Sequence, residues 1–135
     1  MRVDAIDHVN IRTSDVVGTG RFFADVLAMT VTPSPGDPDP QRAAWICDAE
    51  GRAVVHLAAR TILYPWEKAA PAEEPAGSGR LHHVALRCSG YPAMVERLTG
   101  QNLDFQTNDV PQVGLRQLFV MEPNGILLEL NFFGE

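Results

Sequence analysis

At 135 residues, with 45% hydrophobic and 21% charged side chains, the chain has the size and composition of one globular domain, able to bury a core without disulfides or a structural metal. Its formal charge of −6, with Lys68 the sole lysine among 11 cationic residues, argues against a basic groove for nucleic acid or an anionic membrane surface. Cys47 and Cys88 form no CxxC pair and read as reduced thiols; no apolar run approaches the roughly 18 residues a bilayer span needs, so a cytoplasmic protein is expected.

In chain order, the pattern predicts a strand near 3–12 and a helix from Asp15 to Leu27. Ser14 is its expected N-cap, and Val16, Gly20, Phe23, Ala24 and Leu27 its inner stripe. Gly18 and Gly20 each weaken such a helix by about 1 kcal/mol relative to alanine, so it must lean on packing. Three strands come next, near 28–32, 43–48 and 52–60, with a proline-rich loop at 33–40 and a tight hairpin turn at 48–51. Residues 65–79 (PWEKAAPAEEPAGSG) connect the first half of the chain to the second, either as a plain linker or as a lid bearing Tyr64 and Trp66. The order then repeats: a strand near 80–88, a helix over 92–99 with Pro92 near its start and Gly100 past its end, and strands near 103–108, 114–121 and 126–132, the last two joined by a turn at 122–125.

The two halves are similar in letter as well as in order. DHVNIRTSD at 7–15 matches HHVALRCSG at 82–90, placing His8 with His83, Val9 with Val84, Arg12 with Arg87 and Ser14 with Ser89. This is one duplicated module, 1–64 and 80–135, within a single domain of 1–135. The expected class is α+β, two βαβββ modules forming a curved mixed sheet.

Polar residues inside apolar strands carry the functional information. His8 and His83 hold matching places in the first strand of each half, His56 sits in AVVHLAA, and Glu129 in ILLELNF. Strand alternation sends Leu128, Leu130 and Phe132 to a core and Glu129 to the opposite face. By the same alternation His56 shares a face with Val54 and Ala58, His8 with Asn10, and His83 with Arg87. If the terminal strands of both halves enter one curved sheet, three imidazoles and a carboxylate can converge on Zn, Ni, Mn, Co or Fe(II). A lone strand histidine is also common as a hydrogen-bonded, half-buried group, and only the duplication lifts these above that reading. His56 lies one residue further from Gly51 than Glu129 does from Gly125, so a bulge or shifted turn must absorb the difference.

The DHVxIR start, the RFFADVLAM segment and the ending FVMEPNGILLEL resemble the vicinal oxygen chelate superfamily, which includes glyoxalase I, extradiol dioxygenases and bleomycin-resistance proteins. The corresponding family patterns are R-F-Y-x-x-x-L-G-F and F-x-D-P-D-G-N-x-I-E-L; here Glu122 and Asn124 stand where Asp is usual. The resemblance spans essentially the whole chain. It implies His8, His56, His83 and Glu129 as ligands of one divalent metal ion, no organic cofactor, and a homodimer. Several glyoxalase-type members carry Glu or Gln where this chain has His56. Three neutral histidines and one carboxylate leave the site at about +1, which favours anionic chelators such as enolates, catecholates and hydroxy acids.

The activity this implies is a glyoxalase-like lyase or isomerase that chelates a small substrate through two adjacent oxygens, with Glu129 or His56 moving the proton. If His56 stays unligated, two histidines and a carboxylate suit an Fe(II) extradiol-type dioxygenase acting on an aromatic compound. The third alternative is a resistance-type protein that only binds a small molecule. Asn10, Trp45, Tyr64, Arg87 and Phe119 are the expected substrate contacts, and Trp66 is a further aromatic candidate.

Overall fold

The computed structural model describes residues 1–69 and 77–135, in two compact units, Met1–Pro75 and Ala76–Glu135. The stretch 70–76 of the expected connection lies outside the described residues. The first unit contains β1 (Val9–Thr13), α1 (Val16–Leu27), β2 (Thr30–Pro33), β3 (Ala43–Cys47) and β4 (Ala53–Ala59). The second contains β5 (Val84–Cys88), α2 (Tyr91–Gly100), β6 (Phe105–Val110), a 3-10 turn at Pro111–Val113, β7 (Leu115–Met121) and β8 (Leu127–Phe133). Each unit is the expected βαβββ module.

Hydrogen bonding divides the mixed sheet into two four-stranded sheets, one per unit, ordered β1-β4-β3-β2 and β5-β8-β7-β6. In each, the first strand pairs parallel with the last, and the other pairs are antiparallel. The parallel pair requires a long crossover, which the helix and two middle strands supply.

Both first strands start later than the pattern suggested. Residues 1–8 form no strand and are all exposed, and His8 and His83 each stand one residue ahead of β1 and β5. The reason is pairing: β4 and β8 offer hydrogen-bond partners only from Val9 and Val84 onward. Alternation along an apolar stretch cannot show where its neighbour ends.

In the first unit Ile11, Ala44, Ile46, Val55 and Leu57 are buried with Phe22, Phe23, Val26 and Leu27 of α1. In the second, Leu118, Val120, Leu128, Leu130 and Phe132 are buried with Leu98 of α2, and the Tyr91 ring meets Phe132 edge-on at 5.3 Å. Helix α1 is capped by Asp15, not Ser14: its side chain accepts from the Gly18 amide at 2.8 Å, while the Asp15 amide donates to buried Thr13. Gly18 is part of that cap, because a Cβ there would collide with the Asp15 carboxylate. At α2 the cap comes from far along the chain: the Glu135 carboxylate accepts from the Gly90 and Tyr91 amides, which lowers its pKa. Gly100 is the last helical residue and Gln101 the cap.

The turn at 122–125 explains a departure from the resembled pattern. Glu122 is buried, and its carboxylate accepts from the Asn124 amide (2.7 Å), the Asn124 side chain (2.8 Å) and the Ile126 amide (3.1 Å). These charge-assisted bonds tie the turn to its own anchor.

Two backbone positions, one within α1 and one at its C-terminal cap, oppose the local preference of their residues. Ala28, where the resembled pattern has glycine, ends the helix at φ 56°, the left-handed region that disfavours a Cβ. At Gly20 a Cβ would meet Val31 and Leu57 at 3.6–3.9 Å, ordinary contact distances. Ala28→Gly and Gly20→Ala should therefore each raise stability by about 0.5–1 kcal/mol. Urea denaturation of the two variants checks this; a loss of stability in either contradicts the assigned conformation at that position.

Candidate functional site

The outer face of each sheet, opposite its helix, carries the chemistry. In the first unit the registers align Asn10 with His56 and His56 with Trp45 across β1, β4 and β3. The Trp45 and His56 rings stack at 4.6 Å and 8°, and His8 stacks on the other side of His56 at 3.8 Å and 18°. The sandwich partly buries His56, and that desolvation, with the neighbouring His8, pushes its pKa down. A neutral ring is the form that can donate a lone pair to a metal or accept a proton. His8 Nδ1 lies 2.6 Å from the Asp7 carboxylate. If Nδ1 carries the proton, Nε2 is left with the lone pair, a common orientation for a ligating histidine.

Over the same face runs the start of the expected linker, strapped to β1. Arg12 makes a two-pronged ion pair with Glu67, both bonds 2.7 Å, and donates to the Ile62 carbonyl at 3.1 Å. The Tyr64 amide donates to Glu67, the Tyr64 hydroxyl accepts from Asn10 at 2.9 Å, and Trp66 stacks on Tyr64 at 5.2 Å. Glu67, in the first part of the expected connection, is thus tied to the first unit's outer face.

In the second unit β8 aligns Glu129 with Ala85 on one side and Phe119 on the other. His83 Nε2 stands 3.3 Å from Glu129 Oε2. Two donors sharing one metal at bonds of about 2.1 Å lie about 3.0–3.4 Å apart, so this separation suits co-ligation. His82 Nδ1 is 3.0 Å from His83 Nδ1. Arg87 aligns with Asn131 and lies 4.9 Å over the Phe133 ring.

The two units place their donors alike. Each has one histidine just ahead of its first strand, and one donor on its last strand that is aligned with the residue two places after that histidine: Asn10 with His56, Ala85 with Glu129. The one-residue mismatch between the hairpins is absorbed by a register shift between Ile46 and Cys47, where the pairing passes over Val54. The donors come as a pair within each unit, His8 with His56 and His83 with Glu129. Among the described residues no group of three or more His, Cys, Asp and Glu is assembled as a metal cage. Each pair supplies donor types that divalent transition metals take, two imidazoles in the first unit and an imidazole with a carboxylate in the second.

Sequence reasoning passed over four residues at these faces. Gln117 and Asn131 sit in LRQLFVM and LLELNFF, polar residues at alternate places in apolar strands, the same signal that marked Glu129. Asp7 was next to His8 in plain view. Glu67 carried no local signal, since its partner Arg12 is distant in sequence.

Glu67 is held at a pKa of about 2, from an ordinary 4.5, first by Arg12 and then by the Tyr64 amide. A carboxylate with a depressed pKa contributes stability in full above its ordinary value and loses it as pH falls through the folded one. The strap should therefore stay closed at neutral pH and open as pH falls from about 4.5 toward 2. Trp66 fluorescence in a Trp45→Phe background tracks this, and Glu67→Gln should show the open signal already at pH 7. Identical emission from both proteins at pH 7 would contradict the strap.

No protein-family model and no curated protein matches the sequence. Solved structures do match in fold. A lactoylglutathione lyase from Agrobacterium tumefaciens is 13% identical with a TM-score of 0.68, covering 97% of this chain and 95% of that one. A glyoxalase/bleomycin resistance protein/dioxygenase from Nocardioides is 22% identical with a TM-score of 0.68, covering 100% and 87%. A glyoxalase/dioxygenase from Nostoc punctiforme is 14% identical with a TM-score of 0.71, covering 97% and 92%.

Proposed function

We propose that this chain, which has the glyoxalase/bleomycin-resistance/dioxygenase fold, is a divalent-metal-dependent enzyme, a glyoxalase-like lyase or isomerase acting on a small anionic substrate with two adjacent oxygens. The observation that carries this is the repeated donor placement, His8 with His56 in one unit and His83 with Glu129 in the other, at the same register positions of a duplicated module. A fold shared with a lactoylglutathione lyase is consistent with it. His8, His56, His83 and Glu129 would hold the ion, which when bound supplies Lewis acidity to the chelating oxygens.

The chain's own residues supply the rest. Trp45 beside His56 and Phe119 beside Glu129 offer flat apolar walls at matching positions. Asn10 and Tyr64 offer hydrogen bonds, and Arg87 a cation for an anionic group. His56, kept neutral by its sandwich, or Glu129 would accept the proton after loosening from the ion.

A second reading rests on the same sandwich. A His56 ring retained between Trp45 and His8 does not ligate, leaving His8, His83 and Glu129 as a two-histidine, one-carboxylate set for a dioxygenase acting on an aromatic compound.

Elemental analysis of protein purified without a chelating column should give one metal per chain, lost in His8→Ala and Glu129→Ala. Unchanged metal in both variants would sink the proposal. His56→Ala divides the two readings: loss of metal supports ligation and oxygen-independent chemistry, whereas retained metal with substrate-dependent oxygen uptake supports the dioxygenase. Full metal binding with no turnover of either kind leaves a binding protein.

Strands β1, β2, β5 and β6 each lie at the end of their own sheet's order. Such edges favour cover by another chain. The assembly proposed is a homodimer, and sedimentation at micromolar concentration should return twice the chain mass; a monomer there counts against it. Among the described residues no helix is long and apolar enough to cross a membrane.

A further inference from the structure

The structure assigns to Gln117, on β7, the role of positioning residue for Glu129, presenting that carboxylate to a metal through one oxygen only. The assignment rests on the proposed metal site and concerns how this chain prepares one of its donors.

Gln117 is a polar residue with only 8% exposure, and both its N–H donors and its amide oxygen find partners within the sheet. Its Nε2 donates to Glu129 Oε1 at 2.9 Å and to Asn131 Oδ1 at 2.9 Å. Its Oε1 accepts from Asn108 Nδ2 at 2.7 Å. These partners also decide which way the amide faces. Turned over, its oxygen would confront a carboxylate oxygen and the Asn131 carbonyl, and its N–H groups would confront the Asn108 donor. Asn131 adds a second donor, its Nδ2 lying 2.8 Å from the same Glu129 Oε1.

One oxygen of Glu129 is thus occupied by two amide donors. The other, Oε2, is the one that faces His83 Nε2. A carboxylate in this state has one free oxygen and a fixed plane, so it suits single-oxygen ligation and resists both chelation through two oxygens and rotation away from the site.

The network runs along the sheet. Arg87, Asn131, Gln117 and Asn108 lie in one register row across β5, β8, β7 and β6. The equivalent row of the first unit runs Arg12, Ala58, Ala43, where alanines replace the amides. In this row the amides therefore occur only in the unit with the carboxylate donor, while the amide beside His56, Asn10, donates to Tyr64 instead. That is the distribution expected if they serve Glu129 rather than the stability of the module.

The test is cobalt(II) binding, monitored by visible absorption and competition titration, with thermal unfolding of the metal-free protein measured alongside. Gln117→Leu should weaken cobalt binding roughly 10- to 100-fold and alter the absorption bands. A purely structural role would lower the unfolding temperature of the metal-free protein and leave affinity and bands unmoved, which would overturn the assignment. Should Gln117→Leu fail to fold, Asn131→Ala removes the second donor and should weaken binding in the same sense; wild-type affinity there overturns the assignment as well. Glu129→Ala separates this inference from the reading beneath it. If Glu129→Ala binds cobalt as tightly as wild type, the metal site itself is wrong; if Glu129→Ala loses cobalt while Gln117→Leu keeps it, only the role of Gln117 falls.

Discussion

The parallel pairing of first strand with last is the constraint on which everything else in each unit depends. It brings the start of the module beside its end, with the helix and two middle strands as the crossover. Asn10 meets His56 and Ala85 meets Glu129 because of this pairing. Since strand side chains alternate, the register that buries Val55, Leu57, Leu128 and Leu130 also turns His56 and Glu129 to the opposite face. A slip of one residue would bury the donors and expose the core. The hydrophobic effect therefore holds the polar residues in place without touching them.

The duplicated frame has been furnished in two ways. The first unit surrounds its imidazoles with rings and a strap: Trp45, His56 and His8 in a stack, Tyr64 and Trp66 beyond, and Arg12 clamping Glu67. The second surrounds its carboxylate with amides from Asn108, Gln117 and Asn131. Chemistry explains the difference. A neutral imidazole tolerates stacking and loses little by desolvation, whereas a half-buried carboxylate needs hydrogen-bond donors for its oxygens.

Several features oppose intrinsic preference, some met by local contacts and one by a distant residue. Ala28 turns left-handed to end α1, and Gly18 sits inside the helix to make room for the Asp15 cap. Glu122 is buried with its carboxylate oxygens satisfied by three donors of its own turn. Glu135 closes α2 from the far end of the unit. The Asp15 and Glu122 carboxylates are satisfied within their own cap and turn, whereas the Tyr91 amide at the start of α2 is satisfied from 44 residues away.

The sequence by itself determined the module order and the strand faces, because burial imposes a period of two on strands and makes each polar interruption visible. His56 and Glu129 were legible as exceptions within apolar runs, and the extra residue after Gly51 announced the shift later seen at Ile46 and Cys47. Where β1 and β5 begin, and thus that His8 and His83 precede them, only the tertiary structure decided, because a strand's end is set by its neighbour's reach. The same holds for the Arg12–Glu67 strap and the Gln117 network. Such contacts join residues that one-dimensional periodicity leaves unrelated, and the register between strands is what makes them neighbours.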